Sequence, residues 1–174
     1  DSSGNLVATK IEIKPDNSLR LLGNIESITA PGTVVVNGVT VQLSGGTRMD
    51  DKSQSNVQNL QFSDLHTNEY VEIRGWAGSA PNTIAAMILE RNDVPSNVNN
   101  LRFEIQGVAS NQSDPTLVIL GVTIDTTGAS FTGTTRTGFF VPGTNGRLVK
   151  VRGNITPIPS QPFRANQQVE FQSP

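Results

Sequence analysis

Few side chains in this sequence are equipped for chemistry. It holds one histidine, His66, and no cysteine. A general base needs a nucleophile and an orienting group within hydrogen-bond reach. His66 stands in a polar stretch, Ser63-Asp64-Leu65-His66, and no Gly-x-Ser-x-Gly elbow occurs anywhere. We therefore expect no catalytic residue and read His66 as an exposed loop side chain. Asp50-Asp51, with Asp64, could offer carboxylate oxygens to a hard cation, but their spacing matches no calcium loop. They read as turn and loop residues, and neither a metal nor a cofactor is expected.

Three residues are candidates for binding. Arg74 and Arg152 occupy matching positions, directly before Gly75 and Gly153. They could contact an anion or a partner, or they could serve as ion-paired outward charges that discourage stray edge pairing. Trp76 follows Gly75 and has Asn154 as its counterpart. A lone Trp can anchor a sugar or a protein, or it can cap a barrel end or fill an interface. Phe131, Phe139, Phe140 and Phe163 gather in the second half and read as core and inter-unit packing. A nucleic-acid stacking platform would need basic partners along a groove.

The elements that must position these residues come as a repeat. Leu19-Arg20-Leu21-Leu22-Gly23-Asn24-Ile25 is echoed by Arg102-Phe103-Glu104-Ile105-Gln106-Gly107-Val108-Ala109. Thr33 to Val41 is echoed by Thr116 to Ile124, and Tyr70-Val71-Glu72-Ile73-Arg74-Gly75 by Leu148-Val149-Lys150-Val151-Arg152-Gly153. A fourth piece appears three times, as Leu6 to Glu12, Ile84 to Glu90 and, more weakly, Arg164 to Glu170. We expect the first copy to be the closing strand of a preceding unit. The chain would then be a piece of a parent with at least three units, consistent with its not beginning with Met.

Within the first unit, residues 19–30 read as a long strand with a kink or bulge at Gly23. Asn37-Gly38 marks the tip of a hairpin over Val34 to Leu43. The polar stretch 44–68 holds one short helical turn near Asn59 to Leu65. Asn68, matched by Gly146, predicts a turn with positive φ before the strand at 69–77. Ala80-Pro81-Asn82 turns into the strand at 83–91. Val71 and Ile73 alternate with Glu72 and Arg74, as on a sheet with one buried face. About five short strands in so few residues leave two edges and one open face, and rolling into a small barrel removes both. The expected fold class is all-β: two tandem small barrels of five to six strands, of the oligonucleotide/oligosaccharide-binding kind, with little helix. The expected organisation is residues 1–18 as a preceding closing strand plus linker, 19–91 as barrel one, 92–100 as linker and 101–174 as barrel two.

Composition narrows the functions. The net charge is -2 and no run of Lys or Arg occurs, which disfavours nucleic-acid binding. Aromatics are 5%, so the cores must be built mostly from Val, Ile and Leu. No stretch is long and apolar enough for a helical membrane span.

Gly-Asn-Ile-Glu-Ser-Ile at 23–28, Val-Asn-Gly-Val-Thr-Val at 36–41, Asp-Leu-His-Thr-Asn-Glu-Tyr-Val-Glu-Ile-Arg-Gly at 64–75 and Ala-Ala-Met-Ile-Leu-Glu at 85–90 resemble a bacterial repeat family. It is known only as a domain of unknown function, number fifty-six sixty-six. The resemblance implies tandem small barrels and export, to the periplasm, the cell envelope or the medium, often as a lipoprotein. It brings no catalytic residues. The second unit departs from it with Pro142-Gly143 where an Asp-Leu pair is usual. The function expected is a non-enzymatic structural or interaction module, with a protein or glycan partner and neighbouring units of the same parent. The alternative is a barrel that binds an oligosaccharide-type ligand.

Overall fold

The computed structural model describes residues 19–97, 102–141, 146–154 and 161–172. The segment at 6–13, expected to close a preceding unit, lies outside them. The strands of the first half are β1 (Leu19–Thr29), β2 (Thr33–Val36), β3 (Val39–Gln42), β4 (Arg48–Asp51), β5 (Tyr70–Ala77) and β6 (Thr83–Asn92). A 3-10 turn, Phe62–Asp64, precedes β5. The second half holds β7 (Phe103–Ser113), β8 (Thr116–Ile119), β9 (Val122–Asp125), β10 (Ser130–Thr132), helix α1 (Arg136–Phe139), β11 (Leu148–Gly153), β12 (Phe163–Arg164) and β13 (Gln168–Phe171).

The first six strands close a five-membered ring. β1 pairs β2, β2 pairs β3, β3 runs parallel to β6, β6 pairs β5, and β5 returns to the first half of β1. β4 lies outside the ring, parallel to β6. One long strand serves both ends of the closure: residues 19–24 of β1 pair β5, and residues 25–29 pair β2. The interior holds branched aliphatics such as Leu21, Ile25, Val34, Val41, Ile73 and Leu89, all fully buried. Leu60 and Leu65, on either side of the 3-10 turn, join the same core. Burying each such side chain contributes about 1.5–3 kcal/mol, which offsets the entropy of ordering short strands.

The second half repeats the ring: β7, β8, β9, then β12 parallel to β9, then β13 beside β11, and β11 back to β7. β10 lies parallel to β13, as β4 does to β6. The last strand is broken at 165–167 into β12 and β13, where the sequence echo is weakest. This interior departs from the aliphatic pattern, because Phe103 and Phe163 meet edge to face, their ring centres 5.6 Å apart. Phe163 thus leaves the expected aromatic group, and Phe171 takes its place, stacked on Phe139 at 5.1 Å.

The bulge of β1 is not at Gly23. The register shifts between Ile25 and Ser27, with Glu26 as the extra residue. The Glu26 carboxylate accepts a hydrogen bond from the Gly38 amide at 2.9 Å, tying bulge to hairpin tip. Gly23 instead leaves room for Asn37, whose side-chain amide donates to the Leu22 carbonyl at 2.9 Å. The hairpin tips match: Asn37 and Gly38 have φ of 52° and 71°, Leu120 and Gly121 of 51° and 77°. Asn tolerates that region, whereas Leu120 bears a cost of about 1–2 kcal/mol.

The repeated Arg-Gly motif has a steric cause. A β-carbon at Gly75 would overlap the Ala85 carbonyl oxygen, and one at Gly153 would overlap the Arg164 carbonyl oxygen. Both strands press against the backbone of the closing strand. At Gly23 the overlapping atoms belong to the Asn37 side chain, which can turn away. Gly75→Ala should therefore lower the urea midpoint clearly more than Gly23→Ala, since backbone cannot yield as a side chain can. Equal losses would contradict this account of the motif.

Candidate functional site

β1 also pairs β7, so the two rings share an edge. The register is antiparallel: Arg20 opposite Gln106, Leu21 opposite Ile105 and Leu22 opposite Glu104. Leu21 and Ile105 are matching residues of the repeat, 84 positions apart, as are Gly23 and Gly107. The seam therefore has local two-fold symmetry, with its axis at the Leu21–Ile105 pair. Strands β5, β1, β7 and β11 form one antiparallel sheet across it.

A chain of charges crosses that sheet. Arg74 contacts Glu72 with Nη2–Oε1 at 2.5 Å, and Glu72 contacts Arg20 with Oε2–Nη2 at 3.0 Å. Arg20 reaches Glu104 across the seam, Nη1–Oε1 at 3.2 Å. Arg152 donates from Nε to Glu104 Oε2 at 2.7 Å and from Nη1 to Gln168 Oε1 at 2.6 Å. Glu104 is only 1% exposed and Gln106 is buried beside it. A carboxylate taken that far out of water is held only if paired, and here two guanidinium groups hold it. The two arginines singled out in the sequence thus sit on this chain of charges, one in each barrel, and both are ion-paired.

Trp76 is 47% exposed, near the end of β5. Register places Trp76 beside Ala85 of β6, and Ala85 beside Gln42 of β3. Ala85 and Gln42 are exposed too. A strip of aromatic, methyl and amide groups results on the outer wall of the first barrel. At one end of the same barrel, a cleft of about 460 Å³ is lined by residues including Pro31, Leu43, Ser44, Met49, Gln61 and Phe62, none of them ionisable.

The aspartates have structural tasks. Asp51 accepts from Arg91 Nη2 at 2.5 Å, Ser53 Oγ at 2.6 Å, and the Ser53 and Val57 amides at 2.9 Å and 2.8 Å. Arg91 also meets Glu69 at 2.8 Å. The loop after β4 is thereby tied to the closing strand, a contact invisible in the sequence because the two partners lie 40 positions apart. The Arg91 guanidinium, aided by Ser53 and Val57, holds the Asp51 carboxyl well below the usual carboxylate range, outweighing the effect of burial. Asp50 pairs with Arg48 and Asp64 accepts the Gln61 amide, so these carboxylates point to separate partners. Among the described residues, no group of three or more His, Asp or Glu could hold a metal ion. His66 is exposed and lies 3.6 Å from Glu69. Burial pushes the Tyr70 phenol up to about 12.

In the second barrel, Phe131, Phe139, Phe140 and Phe171 form one cluster flanked by Arg136 and Arg147. Arg136 is bound to Asp114, and Phe139 is fully buried. The cluster is core that surfaces at one edge. No helix among the described residues is long and apolar enough to cross a membrane.

Residues 23–86 match the family described as Domain of unknown function (DUF5666), in agreement with the motif resemblance. No curated protein and no solved structure is significantly similar to the chain.

Asp51→Asn should cost about 3–5 kcal/mol at neutral pH, because Arg91 then lacks its principal counter-charge. The carboxyl is depressed in the folded state, so its contribution is full above the unfolded value near ~3.9 and is lost as pH falls below it. Urea titrations should show the gap between wild type and Asp51→Asn closing below about pH 4. A gap unchanged down to about pH 2 would contradict this.

Proposed function

We propose that the chain is a non-enzymatic structural and interaction module, a pair of barrels held at fixed orientation. The observation that carries this reading is the β1–β7 pairing, which merges the two rings into one sheet with a buried carboxylate at the join. The charged row that crosses that sheet is thus spent on internal pairing. Export to the periplasm, cell envelope or medium of a bacterium, and attachment to further units, are part of the same proposal. Export rests on the motif resemblance at 23–90, and attachment to further units on the sequence echo at 6–13.

A second reading is favoured by the strip at Trp76. An exposed indole beside Ala85 and Gln42 offers a face for stacking and an amide for hydrogen bonds, as a saccharide would require. Arg74, two residues along the same strand, would border it. Arg152 belongs to the other barrel and would need a ligand long enough to cross the seam.

The chain has a single Trp, so its fluorescence reports on that strip alone. Under the first reading, a glycan array and a metal titration are both silent, and Trp76→Ala alters only the denaturation midpoint or assembly. Saturable quenching by an oligosaccharide, abolished in Trp76→Ala, would replace the first reading with the second.

A further inference from the structure

Arg20 and Glu104 are matching residues of the repeat, 84 positions apart like Leu21 and Ile105, yet they carry opposite charges. Because the seam is locally two-fold, matching residues of the two barrels face the same place. Arg20 and Glu104 there form a cross-seam ion pair at 3.2 Å. If the edge of barrel one met a copy of itself, two Arg20 side chains would converge on that place. If the edge of barrel two met a copy of itself, two copies of Glu104 would be buried together. Like charges brought together out of water cost far more than at an exposed site. The apolar pair at the axis cannot discriminate, since Leu21 and Ile105 are alike in size and fully buried.

We infer that Arg20 and Glu104 are the specificity-determining residues of a barrel-to-barrel docking edge, which accepts an edge of opposite charge and rejects its own kind. The partner chemistry is a β-strand edge with an aliphatic residue at the axis, carrying a carboxylate when it meets barrel one and a guanidinium when it meets barrel two. Two-fold edge pairing is closed, so each edge takes one partner only. The code thus keeps the tandem barrels joined to each other and keeps separate chains from associating through like edges. Repulsion against the wrong partner supplies as much of this selectivity as attraction to the right one. This inference concerns the seam, and it stands whether or not the outer wall at Trp76 binds anything.

Charge reversal in the full chain tests it. Arg20→Glu gives a chain whose two edges are both acidic, and Glu104→Arg gives one whose edges are both basic. Each variant alone should lose the seam and fail to self-associate through it. An equimolar mixture should form one-to-one complexes, at twice the 18.6 kDa chain mass or a whole multiple of that, in sedimentation or native mass spectrometry. The mixture should associate at least about tenfold more tightly than either variant alone. A mixture that stays at monomer mass, or single variants that self-associate as readily as the mixture, would overturn the inference. If a reversed chain fails to fold, the neutral variants Arg20→Gln, Glu104→Gln and their double decide. Losses in urea midpoint that are strongly non-additive support the code, and additive losses refute it.

Discussion

A strand edge left open to water is a cost and a hazard, and this fold depends on where its edges go. In each half of the chain, five short strands would leave two bare edges as a flat sheet. The solution is one long strand that bends at a bulge and pairs at both ends. β1 does so with β5 and β2, and β7 with β11 and β8. Closure leaves each long strand with one further free stretch, beside the half that pairs β5 or β11. Those two stretches pair with each other. The seam is therefore the last step of the same economy that closes the barrels.

The chemistry at the seam follows from that geometry. Strand residues alternate, so the row next to the core row of β1 and β7 holds Arg20, Glu104 and Gln106. Joining the barrels takes Glu104 and Gln106 of that row out of water, and a buried carboxylate demands partners on both sides. Arg20 provides one from the neighbouring barrel and Arg152 the other from its own. Asp51 and Arg91 solve the same problem inside barrel one, fastening a polar loop to the closing strand. These buried ion pairs thus fix the positions of elements. That supports the proposed role as a structural module.

Much of this architecture was legible in the residues. Asn37-Gly38 marks its hairpin because Asn and Gly both accept positive φ, and Asn68 and Gly146 mark the turns before β5 and β11 for the same reason. Alternation at 71–74 gives the inward face of β5, and the short turn near 59–65 is present. What escaped depends on contacts between distant residues. The edge strands β4 and β10 carry no alternating apolar pattern, since the one buried residue of β4 is Asp51 and no residue of β10 is fully buried. Gly23 looked like a bulge, whereas the bulge falls at Glu26, whose carboxylate reaches a hairpin tip 12 residues away. Gly75 and Gly153 were visible as a motif, but the carbonyl oxygen pressing on each belongs to another strand. Arg74 and Arg152 were visible as a pair because their motif repeats, while Arg20 and Glu104, the residues that meet across the seam, were hidden because a repeat comparison rewards likeness and they differ in charge.

The shared edge is the point on which the account turns, and amide hydrogen exchange reads it directly. Within residues 20–22 and 104–106, the amides directed at the opposite barrel should exchange as slowly as those bonded within each ring. If those amides exchange at the rate of an open strand edge while the rings stay protected, the barrels are not joined through β1 and β7.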